Sequence, residues 1–438
     1  MNAQKPTATR FRWMLMWFII FPLTFVMSLD RTNIAVSAPV IEKTFHFSLI
    51  EMGLIFSSFA WTYAIFQIPG GIFTERLGSR KMLTVADLWW SIWTGMTAVA
   101  TSVATFVGIR GLLGIGQAAD WSSSVNSIKR WFPKEERARA NSILLGGLYL
   151  GPIIGAPLTI AIVTGLGWQW SFYIYAVAGV VVGLLWWRHY RDRPQDHPAV
   201  SSSELAHIEA GYDMENSRDV ARSRDWRRFI SNYRFWAFGI QYFFLILIQS
   251  FYVTWLPTYL VKARGFSLAS MGFAASLPWV ALFVMVFVTG AWQDRVLART
   301  GSKLRARTPF AVVGFLLAAL FLIIGSRIVT PWMMIIALMF SLGSVGLVQV
   351  SIWPTCTDLG RNMTGSVTGW TNFWGNLSGA LGPVITAFLV TLTSSWATAL
   401  LVMAMASVIG AVLWLLVRPD KPLESVADAS AIGGQVSA

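Results

Sequence analysis

Apolar residues run along this chain in long blocks separated by short polar breaks. The blocks fall near residues 14–37, 50–72, 82–102, 105–128, 138–163, 169–187, 234–260, 268–292, 309–327, 331–356, 363–391 and 395–417. A helix needs ~20 apolar residues to cross ~30 Å of hydrocarbon, and nearly every block supplies them. The pattern predicts an all-α integral membrane protein with twelve transmembrane helices and both termini on one side.

The blocks divide the chain into an N-terminal segment (1–13), a first set of six spans (14–187), a linker (188–233), a second set (234–417) and a tail (418–438). Lys5, Arg10 and Arg12 precede the first block as in a signal peptide, but the block is too long for one and no small-residue cleavage site follows. It reads as the first span. The stretch from Arg188 to Ser231 is the longest polar one and holds His189, His197 and His207. Within it, Ser201-Ser202-Ser203-Glu204 has capping-box spacing ahead of Leu205 and Ile208, which predicts a short surface helix with solvated charges.

Composition sharpens this picture. The 438 residues are 55% hydrophobic and 13% charged, about half the charged share of a soluble domain. A net charge of +13 would suggest nucleic acid in a soluble chain. Here 28 Lys and Arg fall in segments on the side of the termini, against four, Lys43, Lys262, Arg264 and Arg327, on the other. Basic loops stay in the cytoplasm during insertion. The termini are therefore expected in the cytoplasm of a bacterial-type inner membrane, with lipid and not nucleic acid as the partner.

Cys356 is the only cysteine, which excludes an intramolecular disulfide and a thiol pair for zinc or redox chemistry. The spans hold no nucleophile with a base and no metal cluster, so no catalytic residue, metal or cofactor is expected and an enzyme is disfavoured. The polar stretch of 44 residues from Arg188 to Ser231 is also small for the output domain of a sensor.

Two cations remain inside the spans, Arg31 and Arg110. A guanidinium is costly in hydrocarbon and normally faces a watery cavity or a partner. Its planar fork suits a carboxylate. Arg31 lies ~9 Å and Arg110 ~7 Å from the outer ends of their predicted helices, so the two can meet on one anion. The plainer reading makes Arg31 a structural partner of Asp30 or of a carbonyl, and Arg110 a structural residue.

Proton coupling needs a titratable group in the pathway. No histidine lies well inside a span, His46 being in an outer loop, which leaves Asp30, Asp87 and Asp120. Asp87 reads as a structural partner near the start of the third span. Asp30, beside Arg31, is either a coupling acid or one half of a static ion pair. Gln117 follows Arg110 by seven residues, on nearly the same helical face, and Asp120 sits ~60° around from it. Asp120 supplies a second coupling carboxylate or pairs with a cation. Tyr63 and Gln67, at i and i+4, offer hydrogen bonds to a substrate or between helices. In the second half Gln249, Asn372 and Asn376 are candidates, among polar positions that include Gln241, Tyr252 and Gln349. Trp121, Trp353, Trp370 and Trp374 either stack on an aromatic acid or pack.

The halves repeat. Gly71 and Glu75-Arg76 recur as Gly290 and Asp294-Arg295 at an offset of 219, half of 438, and Gly151-Pro152 recurs as Gly382-Pro383.

The run Gly70-Gly71-Ile72-Phe73-Thr74-Glu75-Arg76-Leu77-Gly78-Ser79-Arg80-Lys81 resembles the signature loop of the major facilitator superfamily, and Arg110-Gly111-Leu112-Leu113-Gly114-Ile115-Gly116-Gln117 resembles its second motif. Leu29-Asp30-Arg31-Thr32-Asn33, Phe59-Ala60-Trp61-Thr62-Tyr63, Gln67-Ile68-Pro69-Gly70-Gly71 and Trp131-Phe132-Pro133 with Glu136-Arg137 look like the anion:cation symporter family. The resemblance implies two six-helix bundles around a central cavity and alternating access. It implies inward transport of a small organic anion, such as a sugar acid, hydroxy acid or aromatic acid, often with protons. It puts anion binding on Arg31 and Arg110, Tyr63 in the cavity, and a first-span acid at Asp30. Gly71, Glu75, Arg76 and Arg80, with Asp294 and Arg295, correspond to gating loops. The chain is taken as a monomer.

Two positions depart from the family. Gln117 stands where a glutamate is common, which leaves an exchanger or facilitator open. Leu148 stands where sugar-acid carriers can have an amide, which favours a less hydroxylated anion. Gly147, Gly151-Pro152 and Gly155 also fit a drug-type efflux carrier.

Overall fold

The computed structural model describes residues 10–210 and 227–423. Positions 1–9 of the N-terminal segment, 211–226 of the linker and 424–438 of the tail lie outside the described residues. In chain order the helices are α1 Phe11–Phe45, α2 Leu49–Leu77, α3 Ser79–Thr97, α4 Val103–Gln117, α5 Asp120–Trp131, α6 Lys134–Leu166 and α7 Trp168–His189. They continue as α8 Ser202–Ala210, α9 Tyr233–Arg264, α10 Leu268–Thr300, α11 Lys303–Arg327, α12 Pro331–Gly360, α13 Thr364–Thr393 and α14 Trp396–Val417.

Ten of these are long and apolar enough to cross a membrane. The other two spans are α3, which carries Arg80, Lys81 and Asp87, and the pair α4 and α5. The fold is thus all-helical with twelve spans. Ile65, Ile68, Val85, Val177 and Leu184 are exposed, as lipid-facing side chains are.

Two expectations about the spans need correction. The first helix does not stop near Ser37 but continues to Phe45, through Pro39, which sets Arg31 ~21 Å from that end. The fourth span is interrupted at one point: α4 ends at Gln117 and α5 begins at Asp120, with Ala118 and Ala119 in a turn whose dihedrals stay in the right-handed helical region. Helical projection across Gln117 and Asp120 is therefore approximate.

Caps define several boundaries. Ser48 and Glu51 form a capping box at the start of α2, and Ser102 and Thr105 form another at α4. Between α2 and α3, Gly78 adopts φ +82, where a side chain would be strained and a Cβ would also meet Asp192.

The chain forms two compact units. Among the described residues, the first holds 10–210 with 253–262 and 266–276, and the second holds 227–252, 263–265 and 277–423. In the first unit, small residues let helices approach closely. Gly147, Gly151 and Gly155 of α6 face Phe21, Ser28 and Leu29 of α1 so tightly that Cβ atoms would collide, and Ser28 donates to the Leu148 carbonyl at 2.7 Å. Gly179 and Gly183 of α7 do the same against Ser91 and Asp87 of α3. In the second unit Gly375 of α13 packs on Tyr242 of α9, and Gly410 of α14 on Phe315 of α11.

The repeat has a structural counterpart. Thr74, near the end of α2, is buried and pairs with Ser123 of α5 at 2.9 Å. Gln293, 219 residues later, is buried in α10 and donates to Ser351 of α12 at 2.7 Å.

The predicted surface helix forms as α8, with Ser201 Oγ accepting from the Glu204 N–H at 3.2 Å. Its charges are not all solvated. Glu204 is fully buried and accepts from the Phe11 and Arg12 N–H groups, both at 3.1 Å, and from the Arg12 guanidinium at 2.9 Å. Arg12 also grips Glu136 of α6 at 2.8 Å. A buried cation needs charged partners, and the start of α1 finds them on α6 and α8.

Candidate functional site

The first unit brings most of the candidate residues together. Arg31 projects from the middle of α1 and donates through Nε to the Oε1 of Gln117, the last residue of α4, at 2.9 Å. Its guanidinium carbon lies 4.8 Å from the Tyr63 ring and 5.2 Å from the Phe59 ring, both on α2. Arg110, on α4, places its own at 5.0 Å from Phe59. Phe59 and Tyr63 stack one helical turn apart with centroids 5.8 Å apart. Three helices thus deliver two cations to one aromatic surface.

Aromatic faces attract cations and replace part of their lost hydration. They leave the guanidinium edges for an anion. Arg31 is half-buried, whereas Arg110 is 3% exposed and its Nε has no hydrogen-bond partner. An unpartnered buried donor is costly, and an anionic ligand is what such a donor is suited to receive.

The acids surround this pair. Asp30 is buried beside Arg31, within electrostatic reach of Arg110 and Arg31, and its Oδ1 is unpartnered. Asp120, the first residue of α5, lies within electrostatic reach of Arg31, with Ser124 Oγ 3.4 Å from its Oδ1. Asp87, read as a structural partner, has no partner at its buried Oδ2. Tyr63, Leu148 and Trp121 are half-buried against one apolar cluster of the first unit, and Gln67 of α2 is half-buried as well.

The remaining candidates belong to the second unit. Gln249 of α9 donates to Gln349 of α12 at 3.1 Å. Asn372 and Asn376 share a face of α13, one turn apart and half-buried. Gln241 is fully buried and donates to the Phe238 carbonyl at 2.9 Å. Trp370 and Trp374 pack on each other and on Trp236, with Trp370 Nε1 donating to the Phe235 carbonyl at 2.9 Å. These aromatics form a packing cluster.

Among the loop residues, Gly71 lies near Ser122, while Glu75 and Arg76 are exposed. Arg80 stacks on Trp187 at 4.1 Å, donates to the Trp187 carbonyl at 2.8 Å and gives its backbone N–H to Asp192 at 3.1 Å. In the second unit Asp294 and Arg295 are exposed, next to the buried Gln293.

Phe59 was not legible as a site residue, since an aromatic in an apolar span reads as packing. Its signal was its place one turn before Tyr63. The partnership of Arg31 with Gln117 joins helices far apart in sequence, and no local pattern marks it.

Residues 20–383 match the family model of the Major Facilitator Superfamily. The chain is 30% identical to the D-galactonate transporter of Escherichia coli O6:H1, over 96% of this chain and 98% of that one. It is 30% identical to a probable sulfoacetate transporter of Cupriavidus necator, over 92% and 93% of the two chains. It is 28% identical to a probable galactarate/D-glucarate transporter of Bacillus subtilis, over 96% and 94%. In fold it is similar to a bacterial homologue of the human lysosomal transporter Spinster, with a TM-score of 0.77 over 94% of this chain and 98% of that one, at 16% identity.

Proposed function

Because this chain belongs to the major facilitator superfamily, and within it to the transporters of organic acids, we propose that it imports a small organic anion together with protons by alternating access. The observation that carries the proposal is the convergence of Arg31 and Arg110 on Phe59, with Gln117 as a further polar contact. Arg31 and Arg110 hold the carboxylate or sulfonate, Gln117, Tyr63 and Gln67 orient it, and Gln249, Asn372 and Asn376 contribute from the second half. Protonation of Asp30 releases Arg31 for the anion, and Asp120 supplies the carboxylate that Gln117 does not. Gly71, Glu75, Arg76, Arg80, Asp294 and Arg295 serve the conformational change at the cytoplasmic face, where both termini lie. The protein is a monomer in the inner membrane.

The names of the relatives supply the substrate candidates: galactonate, glucarate, galactarate and sulfoacetate. Leu148, an apolar side chain packed against the same apolar cluster as Tyr63, favours the less hydroxylated of these. Purified protein in liposomes tests the proposal. Uptake of one of these anions should rise when the interior is made alkaline, and Arg31→Ala or Arg110→Ala should abolish it with the protein still inserted. Normal uptake by both variants overturns the anion site.

Exchange without protons is the competing reading, and its support is Gln117, whose amide carries no proton. Uptake indifferent to the gradient decides for it. The glycine pattern of α6, which suggested efflux, is accounted for by the seating of that helix on α1.

A further inference from the structure

Helix α3 carries a polar stripe that the anion site does not use. Asp87, Ser91 and Thr94 stand at i, i+4 and i+7, which places them on one face. All three are 1% exposed, and Asp87 Oδ2, Ser91 Oγ and Thr94 Oγ1 each lack a hydrogen-bond partner. Buried polar atoms are nearly always paired, so three unpaired in one row call for a purpose that packing does not give. Room for them is built in: a Cβ at Gly179 of α7 would strike Ser91 Oγ, and one at Gly183 would strike Asp87 Oδ2.

Both ends of the stripe meet acids. The Thr94 hydroxyl stands beside Asp30 without closing a well-formed hydrogen bond. Asp87 lies within electrostatic reach of Asp30 on α1 and of Asp120 on α5. The other groups facing these acids are Arg110 and Arg31 at Asp30, Arg31 and Ser124 at Asp120, and Tyr175, which is paired with Thr159. Thr94 to Asp87 spans ~10 Å along the helix axis, toward the Ser79 end of α3.

We propose that Thr94, Ser91 and Asp87 form a proton line inside the first unit, joining Asp30 at the anion site to Asp120, with Asp87 as a third proton-carrying carboxylate. The line rests on the reading of this chain as proton-coupled. Protonated Asp30 gives its proton to the Thr94 oxygen while Thr94 passes its own to Ser91, and Ser91 passes its own to the Asp87 carboxylate. At each hydroxyl one O–H bond forms and one breaks. The net result is an ionised Asp30 and a neutral Asp87, which then hands the proton to Asp120. Adjacent Cβ atoms on such a face are ~5–6 Å apart, a gap that hydroxyl rotation or one bridging water closes.

The test separates coupling from carriage. The full-length protein is reconstituted in liposomes, and whichever of the four candidate anions it carries, sulfoacetate being tried first, is followed both in exchange without a gradient and in accumulation driven by a pH gradient. Asp87→Asn should keep exchange and lose driven accumulation by about tenfold or more. Ser91→Ala and Thr94→Val, milder changes, should slow accumulation with exchange intact. Accumulation at the wild-type level in Asp87→Asn, or in Ser91→Ala if Asp87→Asn does not fold, overturns the line. A wild-type protein that exchanges but ignores the gradient overturns the coupling beneath it instead. Infrared difference spectra over a pH series, without substrate, give a second readout: a titrating carboxyl band should vanish in Asp87→Asn, and unchanged spectra refute Asp87 as a carrier.

Discussion

Arg31 and Arg110 bring their guanidinium carbons to 5.2 and 5.0 Å from the centroid of a single ring, that of Phe59. Two cations on one aromatic surface repel each other, and the ring and the neighbouring acids offset this. On the proposed reading a bound anion, a ligand of charge opposite to the pair, joins them.

Arg31→Lys should expose how much of this depends on the fork. Lysine keeps the charge but loses the planar donor set and the Nε bond to Gln117. Affinity for the anion should fall by about 2 kcal/mol, roughly thirtyfold, in a binding titration. Equal affinity in the lysine variant means that charge alone suffices.

Gln117→Glu should place a carboxylate against Arg31 without disturbing α4, since the two side chains are nearly isosteric. The added acid brings a titratable group next to the anion site. Uptake should persist and become more dependent on acidic conditions than in the wild type. A pH profile identical to the wild type counts against a proton-handling role for this position.

His197 lies outside the spans, stacked on Phe11 at 4.1 Å, and its Nδ1 accepts from the Ala199 N–H at 3.1 Å. Burial, and then the charge of Arg191, hold it below the ordinary histidine value of 6.5. The unfolded chain then binds more protons in acid, so stability rises with pH and is lost as pH falls below ~6.5. The thermal midpoint should drop between about pH 7 and about pH 5.5, and His197→Gln should lessen the drop. An unaltered slope removes His197 as its cause.

Gly151→Ala should loosen the seat of α6 on α1, because the new methyl would strike Ser28. Overpacking of this kind costs about 1–3 kcal/mol. A lower unfolding temperature in detergent, with wild-type insertion, is the expected result. No change indicates that the helices can part there without cost.

The spans were legible because lipid forces every crossing segment to be apolar and helical. Arg31, Arg110 and Asp30 stood out for the same reason, as polar groups in apolar runs. What no local pattern revealed were meetings between distant helices. Glu204 looked like a solvated charge, yet it is buried under Arg12, nearly two hundred residues earlier in the chain. The turn at Ala118 and Ala119 was equally hidden, since two alanines are good helix formers and contain no breaking signal.

That turn divides labour along the fourth span. Arg110 rides on one rod and Asp120 on another, with Gln117 at the joint and in contact with Arg31. On the proposed reading, the residue that holds the anion and the residue that holds a proton flank this break in helical hydrogen bonding, and Gln117 stands between them.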